Sequence, residues 1–318
     1  MSRAFMRAMD RDPEAIHSVA QFVEGFATGA TLTAPALETI SSRQNPLVIR
    51  FREVTRARRR ARTHLLLDGV RLVTDALRAM VEIEAAIVAQ AAFRQSDPAV
   101  AALVRACQAA GVALVAGSER VMSAVSRAAS PSRAVALATH CPIAVDDLLR
   151  RTVLARGCVL APAGVQDPGN LGAIVRAADA AGASGVIVSA ESADPFGDKA
   201  LRGAMGSTFR IPVADVGRAD DLAAHAAAAG CRVVAATPRG GESLYAVDLR
   251  PPTVVMIGGE GGGIDPGVTD AADVILSIPM ADGVDSLNAA VAAALVAYEA
   301  RRQRTAADRP APAGMAHP

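Results

Sequence analysis

Short apolar runs alternate with helix-like segments through the second half of the chain. Runs rich in Val and Ile predict buried strands, and segments with apolar residues every three or four positions predict helices between them. The predicted strands are residues 157–161, 185–189, 232–237, 253–257 and 274–278, and the predicted helices are residues 170–182, 220–229 and 286–301. This repetition predicts a mainly parallel sheet, with ligands held by loops at the carboxyl ends of its strands.

A similar but weaker alternation runs from residue 37 to about residue 140, which is typical of a small α/β domain. Ser42, Asn45 and Pro46 indicate a turn and a helix cap near its start. We therefore predict five parts, namely an extension of unknown role at 1–36, an α/β domain at 37–140, a linker at 141–155, a second α/β domain at 156–302 and a disordered tail at 303–318.

Composition limits the functional classes only a little. The formal net charge is +1 and aromatic residues make up 3% of the chain, so overall charge does not indicate a nucleic-acid-binding protein. The basic residues are arginines except for Lys199, a bias that is typical of GC-rich codon usage.

The cysteines and the hydropathy pattern indicate the cellular compartment rather than a function. The four cysteines form no CxxC motif and have no paired histidines, so we expect neither a structural metal site nor a disulfide framework. A reducing cytoplasm is the expected compartment. The N-terminal stretch carries too many charges for a signal peptide. The most apolar run, residues 289–298, is shorter than the roughly 20 residues that span a bilayer, so we expect no membrane segment.

One segment whose residues could take part in binding or catalysis joins a predicted strand to a predicted helix at residues 165–179. Asn170 lies where that helix is predicted to begin, and Arg176 lies in its second turn. A helix N-terminus with an arginine nearby suits an anion such as an RNA phosphate. By themselves these residues could equally be a plain N-cap and a surface cation.

Two further segments follow predicted strands near the C-terminus. Gly258 opens a run with five glycines around Glu260, and glycine permits close approach of a ligand to the backbone. The run is neither GxGxxG before a helix nor a phosphate-binding P-loop, which disfavours a classical dinucleotide or nucleoside-triphosphate site. The other segment runs from Ile278 through a glycine-containing loop to Ser286, Leu287 and Asn288. In isolation, a tight turn and a capped loop would explain these two segments.

Taken together, the three segments resemble the three motifs of the SpoU (TrmH-like) family of RNA methyltransferases in order and spacing. The matching residues are Asn170, Gly172 and Arg176 in the first motif, Gly258, Glu260 and Gly261 in the second, and Ile278, Pro279, Met280, Gly283, Ser286, Leu287 and Asn288 in the third. The likeness is strong over about residues 156–301. More weakly, the N-terminal part is similar to a ribosomal-protein-like substrate-binding domain. One departure is Ala204, where the family often has a serine.

The resemblance implies a trefoil-knotted parallel-sheet methyltransferase domain, a smaller N-terminal α/β RNA-binding domain and a homodimer. It implies that S-adenosyl-L-methionine is bound by the knot loops, and that Thr237, Gly258, Ile278 and Leu287 contact it. It assigns catalytic roles to Arg176, Asn170, Glu260, Ser286 and Asn288. No metal is required.

The implied reaction is methyl transfer to a ribose 2′-hydroxyl of structured RNA. Family accounts give Arg176 the activating role, but a guanidinium that stays protonated is a difficult base. Positioning of a flanking phosphate is a physically easier role. The hydrogen-bonding groups of Asn170 and Glu260 would hold the ribose or order the loops.

A dense run of arginines in the N-terminal domain is the predicted RNA contact. Grouped arginines neutralise phosphates and give salt-dependent, largely sequence-independent affinity. The run comprises Arg50, Arg52, Arg56, Arg58, Arg59, Arg60 and Arg62. A solvated helix face is the simpler interpretation. Because aromatic residues are absent here, recognition of folded RNA by shape is favoured over base stacking.

Three alternatives stay open. The N-terminal domain favours 23S rRNA over tRNA as substrate, but a tRNA 2′-O-methyltransferase fits the same motifs. A non-catalytic RNA-binding protein with a degenerate knot would be free to lose Asn170, Arg176, Glu260 and Asn288, yet all four are present. An α/β enzyme with another nucleotide cofactor lacks the expected glycine signatures.

Overall fold

A computed structural model describes residues 37–55, 59, 62–140, 142–260 and 262–307. The chain divides into two compact units, residues 1–141 and residues 142–318. The predicted extension at 1–36 lies outside the described residues, as do Arg56, Arg58, Arg60 and Gly261.

The first unit is built on a five-stranded sheet with strand order β1-β4-β3-β5-β2. Its elements are β1 (Thr39–Ile40), α1 (Pro46–Val54), β2 (His64–Asp68), α2 (Val70–Arg78), β3 (Ile83–Ala89), α3 (Gln90–Arg94), α4 (Pro98–Ala109), β4 (Ala113–Gly117), α5 (Glu119–Val125) and β5 (Ala134–Thr139). Strand β5 runs antiparallel to β2 and β3, whereas β3, β4 and β1 are parallel. Asn45 caps α1 by accepting a hydrogen bond from the Leu47 amide, which confirms the predicted cap.

The second unit is built on a seven-stranded parallel sheet with strand order β10-β12-β9-β11-β6-β7-β8. Its elements are α6 (Val145–Leu154), β6 (Cys158–Ala163), α7 (Pro168–Ala181), β7 (Gly185–Val188), α8 (Asp198–Ala204), β8 (Val213–Asp215), α9 (Ala219–Ala229), β9 (Arg232–Thr237), β10 (Glu242–Ser243), β11 (Thr253–Gly258), α10 (Pro266–Asp270), β12 (Val274–Ser277) and α11 (Ala289–Ala307). The predicted parallel α/β sheet is confirmed. The trefoil knot stays a prediction.

Side chains of the central strands point alternately to two helical layers. On β11, Val254 packs into a cluster with residues of α6 and α9, and the next residue, Val255, packs into a cluster with residues of α7 and α11. This alternation follows from the period of two in a strand, and burial on both faces explains why the strands are continuously apolar.

Two predicted boundaries are wrong. The expected linker at 141–155 contains helix α6, in which Leu148 and Leu149 are fully buried against the sheet. The expected tail begins later, because α11 continues to Ala307. Residues 308–318 of that tail lie outside the described residues.

Side chains near the end of α11 account for its extra length. Gln303 donates to the carbonyl of Val247 at 2.9 Å. Arg304 donates to the carbonyls of Arg156, Gly157 and Pro251 at 2.9, 3.0 and 3.1 Å. These contacts fix the last turns of the helix to the segments that lead into β6 and β11.

Candidate active site

Three neighbouring parallel strands end at one edge of the sheet and bring predicted cofactor residues together there. Thr237, the last residue of β9, pairs with Ser277, the last residue of β12. Ile278 therefore follows directly beside Thr237. Gly258 ends β11, the other neighbour of β9. The edge thus combines backbone groups with the half-buried side chain of Ile278.

The glycine-rich segment after β11 packs against other backbone so closely that side chains would not fit. A Cβ at Gly258 would overlap the backbone of Gly263, and a Cβ at Gly259 would overlap the carbonyl of Gly164. The Gly259 amide also donates to the Ala163 carbonyl at 2.9 Å. The absence of side chains therefore holds the Glu260 loop against the turn that leads into α7.

Asn170 joins the first and second motifs through its side chain. Asp167, not Asn170, caps α7, and its Oδ1 accepts from the amides of Gly169 and Asn170 at 2.5 and 3.0 Å. The Asn170 carboxamide is left to donate from Nδ2 to Oε1 of Glu260. The interpretation of Asn170 as a plain N-cap is therefore wrong.

Asn288 joins the third motif to the same pair. Its Nδ2 donates to Oδ1 of Asn170 at 3.1 Å. Its Oδ1 accepts from the amides of Ala290 and Val291 at 2.9 and 3.3 Å, so Asn288 also caps α11. The helix accordingly begins at Ala289 and not at Ser286. Asn170, Glu260 and Asn288 form a continuous hydrogen-bonded group, which we call the amide–carboxylate cluster.

The other two predicted catalytic residues make no such contact. Arg176 and Ser286 are exposed. Arg176 lies six residues after Asn170, which corresponds to about 9 Å along the helix and about 120° around it. The structure therefore does not place the guanidinium in the amide–carboxylate cluster, and within the described part of the chain no hydrogen-bond partner of Arg176 is present.

Two buried serines hold the turn before α7, and sequence reasoning missed them. Ser192 Oγ accepts from the Val165 amide and donates to the Pro162 carbonyl, each at 3.1 Å. Ser189 Oγ accepts from the Gly164 amide at 3.3 Å. A polar pair directly after the buried strand β7 was the signal that could have revealed them, because buried hydroxyls require partners.

An exposed ion pair links two loops near the edge. Arg239, just after β9, lies 3.1 Å from Asp285 in the loop between β12 and α11. Thr237 Oγ1 donates to the Arg239 carbonyl at 3.0 Å. Leu287, in the same loop as Asp285, is half-buried.

The described members of the arginine run differ in their surroundings. Arg50 donates twice to Glu84, at 2.6 and 2.7 Å, and this contact lowers the pKa of the Glu84 carboxyl. Arg52 is exposed on α1, and Arg59 and Arg62 are half-buried. Arg127 donates to the carbonyl of Thr55 at the end of α1. The run is thus only partly available to a ligand.

The described residues limit the class of site in two respects. No group of three or more potential metal ligands comes together there. Within the same residues, no helix is both long enough and apolar enough to cross a membrane.

Comparison with known proteins agrees with this geometry. A model of the SpoU rRNA methylase family matches residues 157–298, and a model of the MRM3-like substrate binding domain matches residues 45–136. The family match contains the whole amide–carboxylate cluster.

Individual relatives match nearly end to end. An uncharacterized tRNA/rRNA methyltransferase of Synechocystis is 31% identical over 86% of this chain and 97% of the relative. The 23S rRNA (guanosine(2553)-2′-O)-methyltransferase RlmP of Bacillus subtilis is 30% identical over 83% of this chain and 100% of the relative. An rRNA methyltransferase from Sinorhizobium meliloti, solved as an AdoMet-bound crystal structure, is 31% identical. Its TM-score is 0.69, and the match covers 83% of this chain and 97% of that chain. The motifs, the parallel sheet and these full-length matches together establish that the chain belongs to the SpoU rRNA methylase family.

Proposed function

We propose that the protein transfers a methyl group from S-adenosyl-L-methionine to a ribose 2′-hydroxyl of 23S rRNA. The amide–carboxylate cluster is the observation that carries this proposal, because it joins all three motifs at the carboxyl ends of parallel strands. Ligands of open parallel sheets bind at such an edge. The Bacillus subtilis relative, which this chain covers fully, is named for the same reaction on 23S rRNA.

The residues at the strand ends fit the cofactor. Thr237 and Gly258 present backbone groups at adjacent strand ends, and Ile278 and Leu287 add half-buried apolar surface for an adenine ring. Tight glycine packing keeps these loops in place without filling the edge with side chains. S-Adenosyl-L-methionine supplies an electrophilic methyl group on a sulfonium. No metal is needed for that chemistry.

The amide–carboxylate cluster would hold the ribose. Glu260 accepts from Asn170, which in turn accepts from Asn288, so the three side chains fix one another before RNA arrives. A preorganised group of this kind lowers the barrier by orienting the 2′-hydroxyl. Ser286, two residues before Asn288, would shape the loop at the reacting atoms.

Arg176 would position the substrate from outside the cluster. A protonated guanidinium binds phosphate with two parallel hydrogen bonds, and Arg176 is exposed. We propose that it binds the phosphate that flanks the target nucleotide. The proton of the 2′-hydroxyl passes to solvent water, because a guanidinium that stays protonated cannot accept it.

The N-terminal unit would bind the body of the rRNA. Arg50, Arg52, Arg56, Arg58, Arg59, Arg60 and Arg62 supply the positive charge. The side chains of Arg50 and Glu84 are 44% and 36% exposed, and exposed ion pairs are weak, so Arg50 can exchange this partner for a phosphate. The match to a substrate-binding domain over residues 45–136 supports this role.

We also propose that the protein is a homodimer that acts in the cytoplasm, where rRNA is made. Val291, Leu295 and Tyr298 form an apolar stripe on α11, with 48%, 41% and 52% of each residue exposed. Their spacing of four and three residues places them on one helix face, where a second copy could cover them.

The test is a methyl-transfer assay with labelled S-adenosyl-L-methionine and in vitro transcribed 23S rRNA or tRNA. Wild type is expected to label 23S rRNA, at a dinucleotide that resists alkaline hydrolysis. Arg176→Ala is expected to bind the cofactor as wild type does in calorimetry but to transfer at least 100-fold more slowly. Label in tRNA alone would show that tRNA, not 23S rRNA, is the substrate. Absence of both cofactor binding and methyl transfer would favour a non-catalytic RNA-binding protein.

A further inference from the structure

One basic residue differs from all the others in the chain. Of the 33 lysines and arginines, only Lys199 is a lysine. The two side chains are not equivalent, because lysine carries a compact charge on a slender stem whereas arginine carries a broad planar fork. The position of this exception in the fold is therefore informative.

Lys199 lies over the first turn of the helix that carries Asn170. Helices α7 and α8 meet through glycines, since a Cβ at Gly203 would lie 3.2 Å from the Gly169 carbonyl oxygen. A Cβ at Gly169 would lie 3.6 Å from Lys199 Cε. The same Cβ would lie 2.7 Å from Asp167 Oδ1, so the lysine stem crosses the N-terminus of α7 beside the Asp167 carboxylate, where Gly169 itself has no side chain.

The ammonium group shares a carboxylate with that N-terminus. Asp167 uses Oδ1 for the amides of Gly169 and Asn170 and uses Oδ2 to accept from Lys199 Nζ at 3.0 Å. An ammonium has three N–H donors, and the Lys199 side chain is 60% exposed. Donors therefore remain directed to solvent, next to the backbone of Asn170.

Charge explains why a cation is needed here. The Asp167 carboxylate accepts from the backbone amide of Asn170, and the Glu260 carboxylate accepts from its side chain. An RNA backbone close to both carboxylates would be repelled. Lys199 offsets the first of these charges and offers donors to a phosphate. An arginine fork that engaged both Asp167 oxygens would compete with the Gly169 and Asn170 amides for Oδ1, whereas the ammonium uses only Oδ2.

We propose that Lys199 binds an RNA phosphate adjacent to the target ribose, which makes it a further substrate-positioning residue. The inference rests on the proposed function, because it requires the ribose to lie at the amide–carboxylate cluster.

The first test compares wild type, Lys199→Gln, Lys199→Arg and Arg218→Gln on in vitro transcribed 23S rRNA. Lys199→Gln is expected to raise KM for RNA about 10-fold and to leave the affinity for S-adenosyl-L-methionine unchanged. It should also reduce the slope of log affinity against log salt concentration by about 0.7 to 0.9, the value for one phosphate contact. Lys199→Arg should restore most of the slope. Arg218→Gln removes an exposed cation at the start of α9, on the opposite face of the sheet, and should change neither quantity.

The second test is possible because Lys199 is the only lysine in the sequence. Reductive methylation of the full-length wild type modifies lysine and the terminal amine, which peptide mass spectrometry separates. Added 23S rRNA is expected to slow modification of Lys199 several-fold and to leave the terminal amine unaffected.

The outcomes separate the two proposals. If wild type transfers methyl groups but Lys199→Gln changes only thermal stability, and RNA gives no protection, Lys199 merely supports Asp167 and the inference is wrong. If wild type transfers no methyl group to any RNA, the proposed function itself fails.

Discussion

The Asn170 side chain shows why an amide is required at the centre of the site. It donates to a carboxylate on one side and accepts from an amide on the other. An aspartate could not donate to Glu260 and would place two like charges in contact. Only a group with a donor and an acceptor on one carbon satisfies both neighbours.

The two polar atoms of the Asn288 side chain have different roles, because Nδ2 donates to Asn170 and Oδ1 caps α11. Substitutions can therefore separate the two roles. Asn288→Asp keeps the oxygen that caps α11 but loses the donor to Asn170. We expect the free energy of unfolding to stay within about 0.5 kcal/mol of wild type and the transfer rate to fall at least 10-fold. Asn288→Ala loses the cap as well, which costs about 1 kcal/mol. Urea unfolding and single-turnover transfer measure the two effects, and a fully active Asn288→Asp would contradict the proposed role of the cluster.

Residues of the site could be predicted from the sequence only where a motif names them. Spacing indicated Asn170, Glu260 and Asn288, but not that they bond to one another, because 90 and 118 residues separate the bonded pairs. The cap at Asp167 was missed for a local reason, since both Asp167 and Asn170 are good capping residues. Ser189 and Ser192 follow the buried strand β7, and only that position indicates that their hydroxyls are buried and need partners.

At the scale of elements, periodicity predicted five of the seven strands of the second unit and its helices α7, α9 and α11, but missed β8, β10, α6, α8 and α10. Strands such as β9 and β11 are continuous apolar runs because both faces are buried. Helix α6 was taken for a linker because its two buried leucines are adjacent and half of its 10 residues are polar. The end of α11 was missed because its anchors are polar side chains that bind distant backbone.

Truncation tests the length of α11. A chain that ends at Ala307 keeps Gln303 and Arg304, and we expect its melting temperature to match that of the full chain. A chain that ends at Arg302 loses their hydrogen bonds to backbone groups of both neighbouring segments. We expect a loss of at least about 2 kcal/mol, since a single hydrogen bond to a charged group contributes roughly 1.5 to 3 kcal/mol.

A point substitution serves as the matched control. Arg304→Ala should reproduce most of the loss, whereas Arg301→Ala, an exposed arginine on the same helix, should leave the melting temperature nearly unchanged. Equal melting temperatures for the two truncated chains would show that the anchors contribute nothing.

At the scale of the whole molecule, the two units match two separate family models, one for substrate binding and one for the methylase. The methylase unit exposes an apolar stripe on its last helix, and isolated soluble proteins rarely leave such surface uncovered. The proposed homodimer assigns this stripe to the assembly and not to the chemistry.

The substitution Leu295→Glu tests the proposed homodimer. A charge in the middle of the stripe should weaken self-association at least 10-fold, measured by sedimentation equilibrium, because burying an unpaired carboxylate is costly. Leu154→Glu makes the same change at a leucine that is 86% exposed on α6 and should leave association unchanged. A wild type that sediments as a monomer at tens of micromolar would rule out the homodimer.

The position of Asn288 has a consequence for the timing of synthesis. Asn170 emerges from the ribosome 118 residues before Asn288, and Glu260 follows Asn170 by 90 residues. Helix α11 is the last described element of the chain. The site is closed by its most distant contacts, which form late because they require long loops of chain to be ordered. A growing chain therefore holds the first two motifs without a complete site. The enzyme cannot begin to modify RNA until Asn288 has been synthesised and has bonded to Asn170.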